Sequence, residues 1–483
     1  MRKTFTLNLL LLMGLNLLIK PLYIFGIDIK VQNVVGASDY GLFFSIFNFS
    51  MLFQIILELG LNNLVRRDIA ENKQLTQRYF SHLMGLKLLL LPVYIGLSLL
   101  FALVVGYGKI QFDILCYALI IQIGLSFILF VRAILAGLGK YKWDSLLSIM
   151  DKLILILLCG YLLYIHQGTG FTIYTFLYCY LAAIGLTLLP GFGIILLVLP
   201  RFRIGFHYPH LRFFVRRAFP YALITFLMIM YGRMDSVYLE RLLPDGDFQA
   251  GIYAAGFRLL DAYLMFALLF SNLVLPMMTS IRQDIEAKLY FFRFTFNLIM
   301  VPTIIFGLGG WFFRAEITEL LYHHTEAEWS RTVGLLLVTS IPLGLGIITG
   351  SGILSSGKLR RLNILYTLNI AINIILNLIL IPQFKSEGAA ISALSVNTIT
   401  AIVQYYLIYQ AFEEKVKWTN LGVIGLFLIF NVLIILSIET ILPALTWSIR
   451  FLLFSGLSLF IARIMGLLPF SIIKQISSYR KTV

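Results

Sequence analysis

The sequence predicts an all-α polytopic membrane protein, and three observations carry that prediction. Hydrophobic residues fill 60% of the 483 positions and charged residues only 13%, giving a mean hydropathy of +0.91. A water-soluble fold cannot cover that much apolar surface. Apolar runs of roughly 20 residues, each long enough to cross a hydrocarbon core of ~30 Å, recur from Leu7 to Met465 between short polar breaks. The runs are continuous, whereas barrel strands alternate and are only about 10 residues long, so helices are predicted.

Read between charged breaks, fourteen helices are expected at 6–27, 41–64, 83–105, 113–136, 146–165, 171–199, 218–243, 251–278, 290–312, 332–355, 362–382, 388–411, 420–440 and 445–465. The first follows Arg2 and Lys3 and continues through Lys20 and Pro21 without a small-residue cleavage site. It is therefore read as a retained span rather than a signal peptide. Basic residues set the direction. With the N-terminus inside, the inner segments hold 26 of the 38 Lys and Arg residues, and the outer segments hold only Lys30, Lys109, Arg314, Arg331 and Lys385. By the positive-inside rule both termini are expected in the cytoplasm, and the expected location is the cell (inner) membrane. The same placement accounts for the net charge of +15 without a nucleic-acid partner.

The long inner connection from Pro200 to Pro220 carries Arg201, Arg203, Arg212, Arg216 and Arg217. It divides the chain into a six-helix lobe at 1–200, a linker at 201–217, a second six-helix lobe at 218–412, and two additional helices with a tail at 413–483. The linker arginines serve either as a topology anchor or as contacts to lipid headgroups. The outer connections are short, so functional groups must sit among the helices. Cys116, Cys159 and Cys179 all lie in apolar runs and are odd in number, so no disulfide framework is expected. Prolines 21, 92, 220, 276, 302 and 342, with Gly344, Gly346, Gly350 and Gly352 in the tenth helix, predict bends and close crossings.

Two segments look alike. Val35-Gly36-Ala37-Ser38-Asp39-Tyr40-Gly41 opens the second helix, and Asp245-Gly246-Asp247-Phe248-Gln249-Ala250-Gly251 opens the eighth, with Gly41 and Gly251 at matching places. Repeated halves are a common construction for transporters. Further pieces are Glu58-Leu59-Gly60-Leu61, Arg66-Arg67-Asp68-Ile69-Ala70, Arg233-Met234-Asp235, Gly251 through Leu259, and Asn373-Ile374-Ile375-Leu376-Asn377 followed by Ile381-Pro382 and Gly388-Ala389-Ala390. In order and spacing this set resembles the polysaccharide flippases of the multidrug, oligosaccharidyl-lipid and polysaccharide exporter superfamily. The resemblance implies two six-helix lobes around an inner cavity, with the last two helices as an additional pair. It also implies transport, by alternating access, of isoprenoid-pyrophosphate-linked oligosaccharide units such as O-antigen, capsule or exopolysaccharide precursors. Implied partners are the lipid-linked oligosaccharide, membrane lipids, and a glycan polymerase with its chain-length machinery.

A charge at mid-bilayer costs at least ~2.5–3.5 kcal/mol, so each deep one needs a partner, a cavity or a snorkelling route. Lys87, Arg132, Arg241, Glu439 and Arg450 lie within about two turns of a span end and are read as snorkelling. Asp151 and Lys152 are neighbours near an inner helix end. Lys20 lies roughly 20 Å along its helix at 1.5 Å per residue. Aligning Gly41 with Gly251 sets it opposite Met230, one turn from Arg233. Arg258 adds a third cation. Lys20, Arg233 and Arg258 are therefore the candidate pyrophosphate-binding residues, the alternative being that each pairs with a nearby carboxylate.

Asp235, Asp261 and Glu58 are the candidate carboxylates for ion coupling or the cavity. Arg258 and Asp261 are three apart and can neutralise each other, whereas Asp235 points away from Arg233 and is the first choice for coupling to H+ or Na+. Ser50, Gln54, Glu58 and Asn62 make a polar stripe spaced by four, and Asn369, Asn373 and Asn377 make another. These are either interhelical hydrogen bonds or sugar contacts, with Gln54 and the three asparagines as cavity candidates.

Three motifs are set aside. Asp245-Gly246-Asp247 has the spacing of a metal-nucleotide acidic pair but reads as a turn. His323-His324 with Glu326 and Glu328 is read as a solvated loop rather than a metal site, and Gly357-Lys358 lacks the rest of a phosphate loop. No metal, cofactor or catalytic residue is expected. Beside the flippase reading stand an ion-coupled multidrug antiporter of the same superfamily and a membrane glycan polymerase.

Overall fold

The computed structural model describes residues 14–166, 169–199, 204–205, 208–280, 285–323, 327–355, 359–411 and 419–468. All regular structure among them is helical. Helix α1 covers residues 14–35 and widens into a π-turn at Ile24–Asp28 before closing as Ile29–Val35. Gly36 ends it at φ 88°, a conformation open to glycine at little cost, and the chain reverses at once into α2, Ala37–Leu52. The predicted second span then breaks twice. A four-residue helix, α3 (Ile55–Glu58), is followed by Leu59 at φ 42° and Gly60 at φ 68° before α4, Leu61–Glu71. The stripe Ser50, Gln54, Glu58, Asn62 is therefore not one continuous helix face, because the break rotates its members away from regular register.

Longer helices follow: α5 (Thr76–Val105), α6 (Lys109–Gly137), α7 (Tyr141–Ile165) and α8 (Ile173–Val198). The hydroxyl of Thr172 caps α8 by accepting from the Thr175 N–H at 3.3 Å. Then come α9 (Tyr208–Leu242), α10 (Gly246–Ser280), α11 (Ile285–Phe312), the short α12 (Arg314–Leu321), α13 (Ala327–Ser355), α14 (Leu359–Ala411), α15 (Thr419–Ile441) and α16 (Trp447–Ile464). Helix α14 bends at Lys385, φ 51°, so it carries the two predicted spans at 362–382 and 388–411. Pro92, Pro302 and Pro342 all lie inside helices. Among the described residues eleven helices are long and apolar enough to cross a membrane. The doubled α14, the broken second span and the partly described first helix bring this to the expected architecture of about 14.

The chain forms two compact units. Unit 1 comprises residues 1–255 and 374–389, and unit 2 comprises 256–373 and 390–483. In unit 1 the core of α4, α5 and α6 packs Leu61, Val65, Ile69, Phe80, Phe130 and Ile134, all essentially inaccessible. Phe80 and Phe130 stack at 5.7 Å. In unit 2, glycines bring helices close to α13. A Cβ on Gly256 would sit 2.9 Å from Val333 Cα, and one on Gly310 2.7 Å from Leu337 Cβ. The last two helices dock on α11, where a Cβ on Gly309 would lie 2.6 Å from the Phe451 ring, and Phe451 also meets Phe313, just past the end of α11, edge-on at 5.8 Å.

Candidate functional site

The matched glycines of the internal repeat meet. In unit 1 a Cβ on Gly41 would lie 2.9 Å from Gly251 Cα and would overlap the carbonyl oxygen of Asp247, while one on Gly251 would overlap the carbonyl of Ala37. Helices α2 and α10 thus touch backbone to backbone. Polar side chains tie the flanking helices to it: Gln32 Nε2 of α1 donates to the Gly251 carbonyl of α10 at 2.8 Å, and from α2 Asn48 Nδ2 donates to Ser236 Oγ of α9 at 3.0 Å and Ser45 Oγ to the Ser236 carbonyl.

One residue before Ser236 on α9 is Asp235, 2% exposed. Its two oxygens accept from different helices, Oδ2 from the Tyr253 hydroxyl at 2.9 Å and Oδ1 from Asn377 Nδ2 at 2.8 Å. The structure therefore joins the candidate coupling carboxylate to one of the candidate asparagines, and adds Tyr253, which the sequence reading did not single out. The hydroxyl and the amide thus each hold one of the two carboxyl oxygens in place.

Lys20 lies half-buried on α1. Among the described residues it has no hydrogen bond or ion pair, and it feels the charges of Arg132, Asp151 and Lys152. Arg132 Nε donates to Asp144 Oδ1 at 2.8 Å, and Lys152 Nζ lies 3.4 Å from Asp151 Oδ2. The snorkelling assigned to Arg132 is replaced by this ion pair, because a carboxylate twelve residues away reaches it from α7. The same region holds Asp28, 1% exposed, in the π-turn of α1. The sequence reading missed it because the predicted span ended at residue 27; a carboxylate one residue past an apolar run reads as a loop. Arg233 is half-buried on α9 of unit 1.

Lys87 also departs from expectation. It is 1% exposed, and its ammonium donates to the Leu57 carbonyl at 3.0 Å, to the Ser126 carbonyl at 3.3 Å and to Ser126 Oγ at 2.5 Å. Phe127 and Phe130 lie under it at 5.7 and 5.6 Å. The break of the second span frees carbonyls that have no helical donor, and the ammonium supplies one. Glu58, which accepts from Gln54 Nε2 at 3.1 Å, adds an opposite charge nearby. Lys87→Met keeps the length and removes the donor, leaving buried acceptors unpaired. It is expected to cost about 3–5 kcal/mol, seen as loss of monodisperse protein in detergent extracts.

In unit 2, Arg258 Nη1 lies 3.7 Å from Asp261 Oδ2, the self-neutralising pair allowed by their spacing. Asn369, fully buried, donates to Thr400 Oγ1 at 2.7 Å, and Asn373 is 2% exposed. Gln404 bridges Tyr366 and Thr349 at 2.9 Å each. These contacts fit interhelical hydrogen bonding. Arg450, read as snorkelling, lies 3.7 Å from Glu316. In unit 1, Arg241 pairs with Glu240 and stands over the Tyr107 ring at 4.8 Å.

Asp245 behaves as a turn residue. Its Oδ2 accepts from Lys385 Nζ at 2.9 Å and from Gln249 Nε2 at 3.1 Å. The Lys385 ammonium beside it holds the carboxyl below the usual carboxylate range. A depressed folded value means the stabilisation is present above the unfolded pKa of about 3.9 and is lost as pH falls through the folded value. Both groups are largely exposed, so the pair contributes under about 1 kcal/mol. Asp245→Asn should remove that increment of acid sensitivity, read as a flatter fall of Tm below about pH 4. Of the loop His323-His324-Glu326, residues 324–326 lie outside the described residues, as does Lys358. So do Arg201 and Arg203 of the linker.

Residues 6–282 match the family described as polysaccharide biosynthesis protein. No curated protein sequence gives a significant match. Among solved structures, the chain is similar to an inward-facing multidrug resistance MATE family transporter of the MOP superfamily, with a TM-score of 0.63 and 17% identity over 82% of this chain and 94% of that one. It is also similar to a MOP superfamily transporter from Pyrococcus furiosus described as having a binding pocket of reversed polarity, with a TM-score of 0.61 and 16% identity over 84% and 95%. A Vibrio cholerae MATE transporter matches with a TM-score of 0.55 and 16% identity over 84% and 94%. At these identities the likeness is one of fold.

Proposed function

The chain belongs to the polysaccharide biosynthesis protein family, and from that premise we propose that it is a flippase moving isoprenoid-pyrophosphate-linked oligosaccharide across the cell membrane by alternating access. It carries out no covalent chemistry. The observation that carries the reading is Lys20. Lys20 is a cation set deep in an apolar helix without an acceptor among the described residues, while its neighbours Arg132 and Lys152 are already paired with Asp144 and Asp151, and such a group suits a ligand that brings its own negative charge. Arg233 and Arg258 remain the accompanying candidates, Arg258 already partly balanced by Asp261. Asp235 is the group that couples transport to H+ or Na+. The excess of basic residues in the predicted inner segments supports cytoplasmic termini.

Lys20→Ala combined with Arg233→Ala should reduce polymer at the cell surface at least about tenfold while the protein still reaches the membrane. Lipid-linked units should then accumulate in the inner leaflet. Full export by this double variant would remove the cation site. Accumulation in the outer leaflet would point instead to a polymerase. The second reading, a cation-exporting antiporter, is favoured by the multidrug transporters among the structural neighbours. It requires deletion to cost resistance to cationic dyes with surface glycan intact.

A further inference from the structure

Lys152 extends from α7 into a setting made by three helices of unit 1. Its Nζ stands 4.8 Å from the centre of the Tyr23 ring on α1 and 4.4 Å from that of Tyr180 on α8. It donates to Tyr180 Oη at 2.7 Å and lies 3.4 Å from Asp151 Oδ2. Asp28 adds a second negative charge and accepts from the Tyr23 hydroxyl at 3.3 Å. The Tyr180 ring is braced by two phenylalanines, Phe47 stacking on it at 6.0 Å and Phe176 leaning on it at 6.0 Å. One tyrosine ring, one tyrosine hydroxyl and the Asp151 carboxylate gather round a single point, with the Asp28 carboxylate held near it by Tyr23, and that is chemistry that receives an ammonium group.

We propose that this cage is a cation-binding site whose occupant is the chain's own Lys152, and that the tethered cation excludes soluble organic cations from unit 1. The charges support it. Lys20, Arg132 and Lys152 stand against Asp28, Asp144 and Asp151, so the cluster is balanced only with Lys152 in place. Without it these formal charges leave one carboxylate uncompensated beside the Tyr23 ring and the Tyr180 hydroxyl, a site for a small alkylammonium. A covalently attached ammonium loses no translational freedom on binding, so a free cation competes poorly against it. The proposal deepens the anionic-substrate reading, since it assigns the residue that denies the cage to cations, but its test does not use export.

Purified full-length protein in detergent, wild type and Lys152→Ala, is titrated with n-butylammonium, using n-butanol and sodium chloride as controls, and binding is followed by calorimetry and by Tm. The substitution should lower Tm, and n-butylammonium should restore it where n-butanol and sodium do not. Affinity for the amine should be at least about tenfold tighter than that of the wild type. Adding Tyr180→Leu should abolish the gain. Equal binding by wild type and K152A, or no binding by K152A, overturns the proposal. If K152A fails to accumulate in membranes, n-butylammonium in the growth medium should restore its level, and failure to do so overturns the proposal equally. Loss of the cation site at Lys20 with an intact amine effect at K152A would refute the flippase site alone.

Discussion

Valine at Gly41 or at Gly251 is expected to remove most of the folded protein from the membrane. Each added side chain would run into main-chain atoms of the facing helix, Asp247 and Gly251 in one direction and Ala37 in the other. Side chains can turn aside from an intruder, but backbone carbonyls in a helix cannot. The cost should therefore exceed the ~1–3 kcal/mol typical of overpacking. It would also draw Gln32, Ser45 and Asn48 away from their acceptors on α9 and α10. The measurement is the monodisperse fraction in detergent extracts. Valine at Gly185, where an added Cβ meets nothing within 4 Å, is the control and should leave that fraction unchanged. A wild-type yield from Gly41→Val would mean that the helices do not approach so closely.

Asp235→Ala and Asp235→Asn should fail in different ways. Alanine strands the Tyr253 hydroxyl and the Asn377 amide as buried donors. Each orphan costs about 1–3 kcal/mol, so the alanine variant should lose both stability and export. The amide of the asparagine variant still offers an oxygen to one donor, and the tyrosine hydroxyl can turn to accept from its NH2. That variant should fold, yet it can neither take up a proton nor neutralise a sodium ion, and export should fall at least about tenfold. The readouts are surface polymer against membrane level, with and without the ion gradient. Undiminished, gradient-dependent export by Asp235→Asn would place coupling elsewhere.

Much of this architecture was legible because membrane insertion is governed by local composition. An apolar run of sufficient length must be helical in lipid, since no water is present to satisfy its backbone, and that constraint acts on each run without reference to the others. The glycine pair was legible for a related reason: two segments with the same local turn pattern occupy equivalent places. The breaks at Phe53–Gln54 and Leu59–Gly60 were not, because only Gly60 and its neighbours hint at them and the apolar run continues across. The deep charges were misjudged in one consistent direction. Distance to the nearest helix end predicts snorkelling for Lys87 and Arg132, as if water were their only remedy, whereas their partners Ser126 and Asp144 come from other helices.

The sequence by itself determined the membrane class, the helical spans, their direction of insertion as an expectation, and the residues whose charge must be explained. Only the tertiary structure decided how each charge is answered. It set Asp28 beside Lys152, Tyr253 and Asn377 on Asp235, and Lys87 across a broken helix, and it left Lys20 without an acceptor among the described residues. The reason is that hydrophobic insertion depends on neighbours in the chain, while an ion pair or a buried hydrogen bond depends on atoms within about 3 Å in space, and chain spacing does not specify which atoms those are.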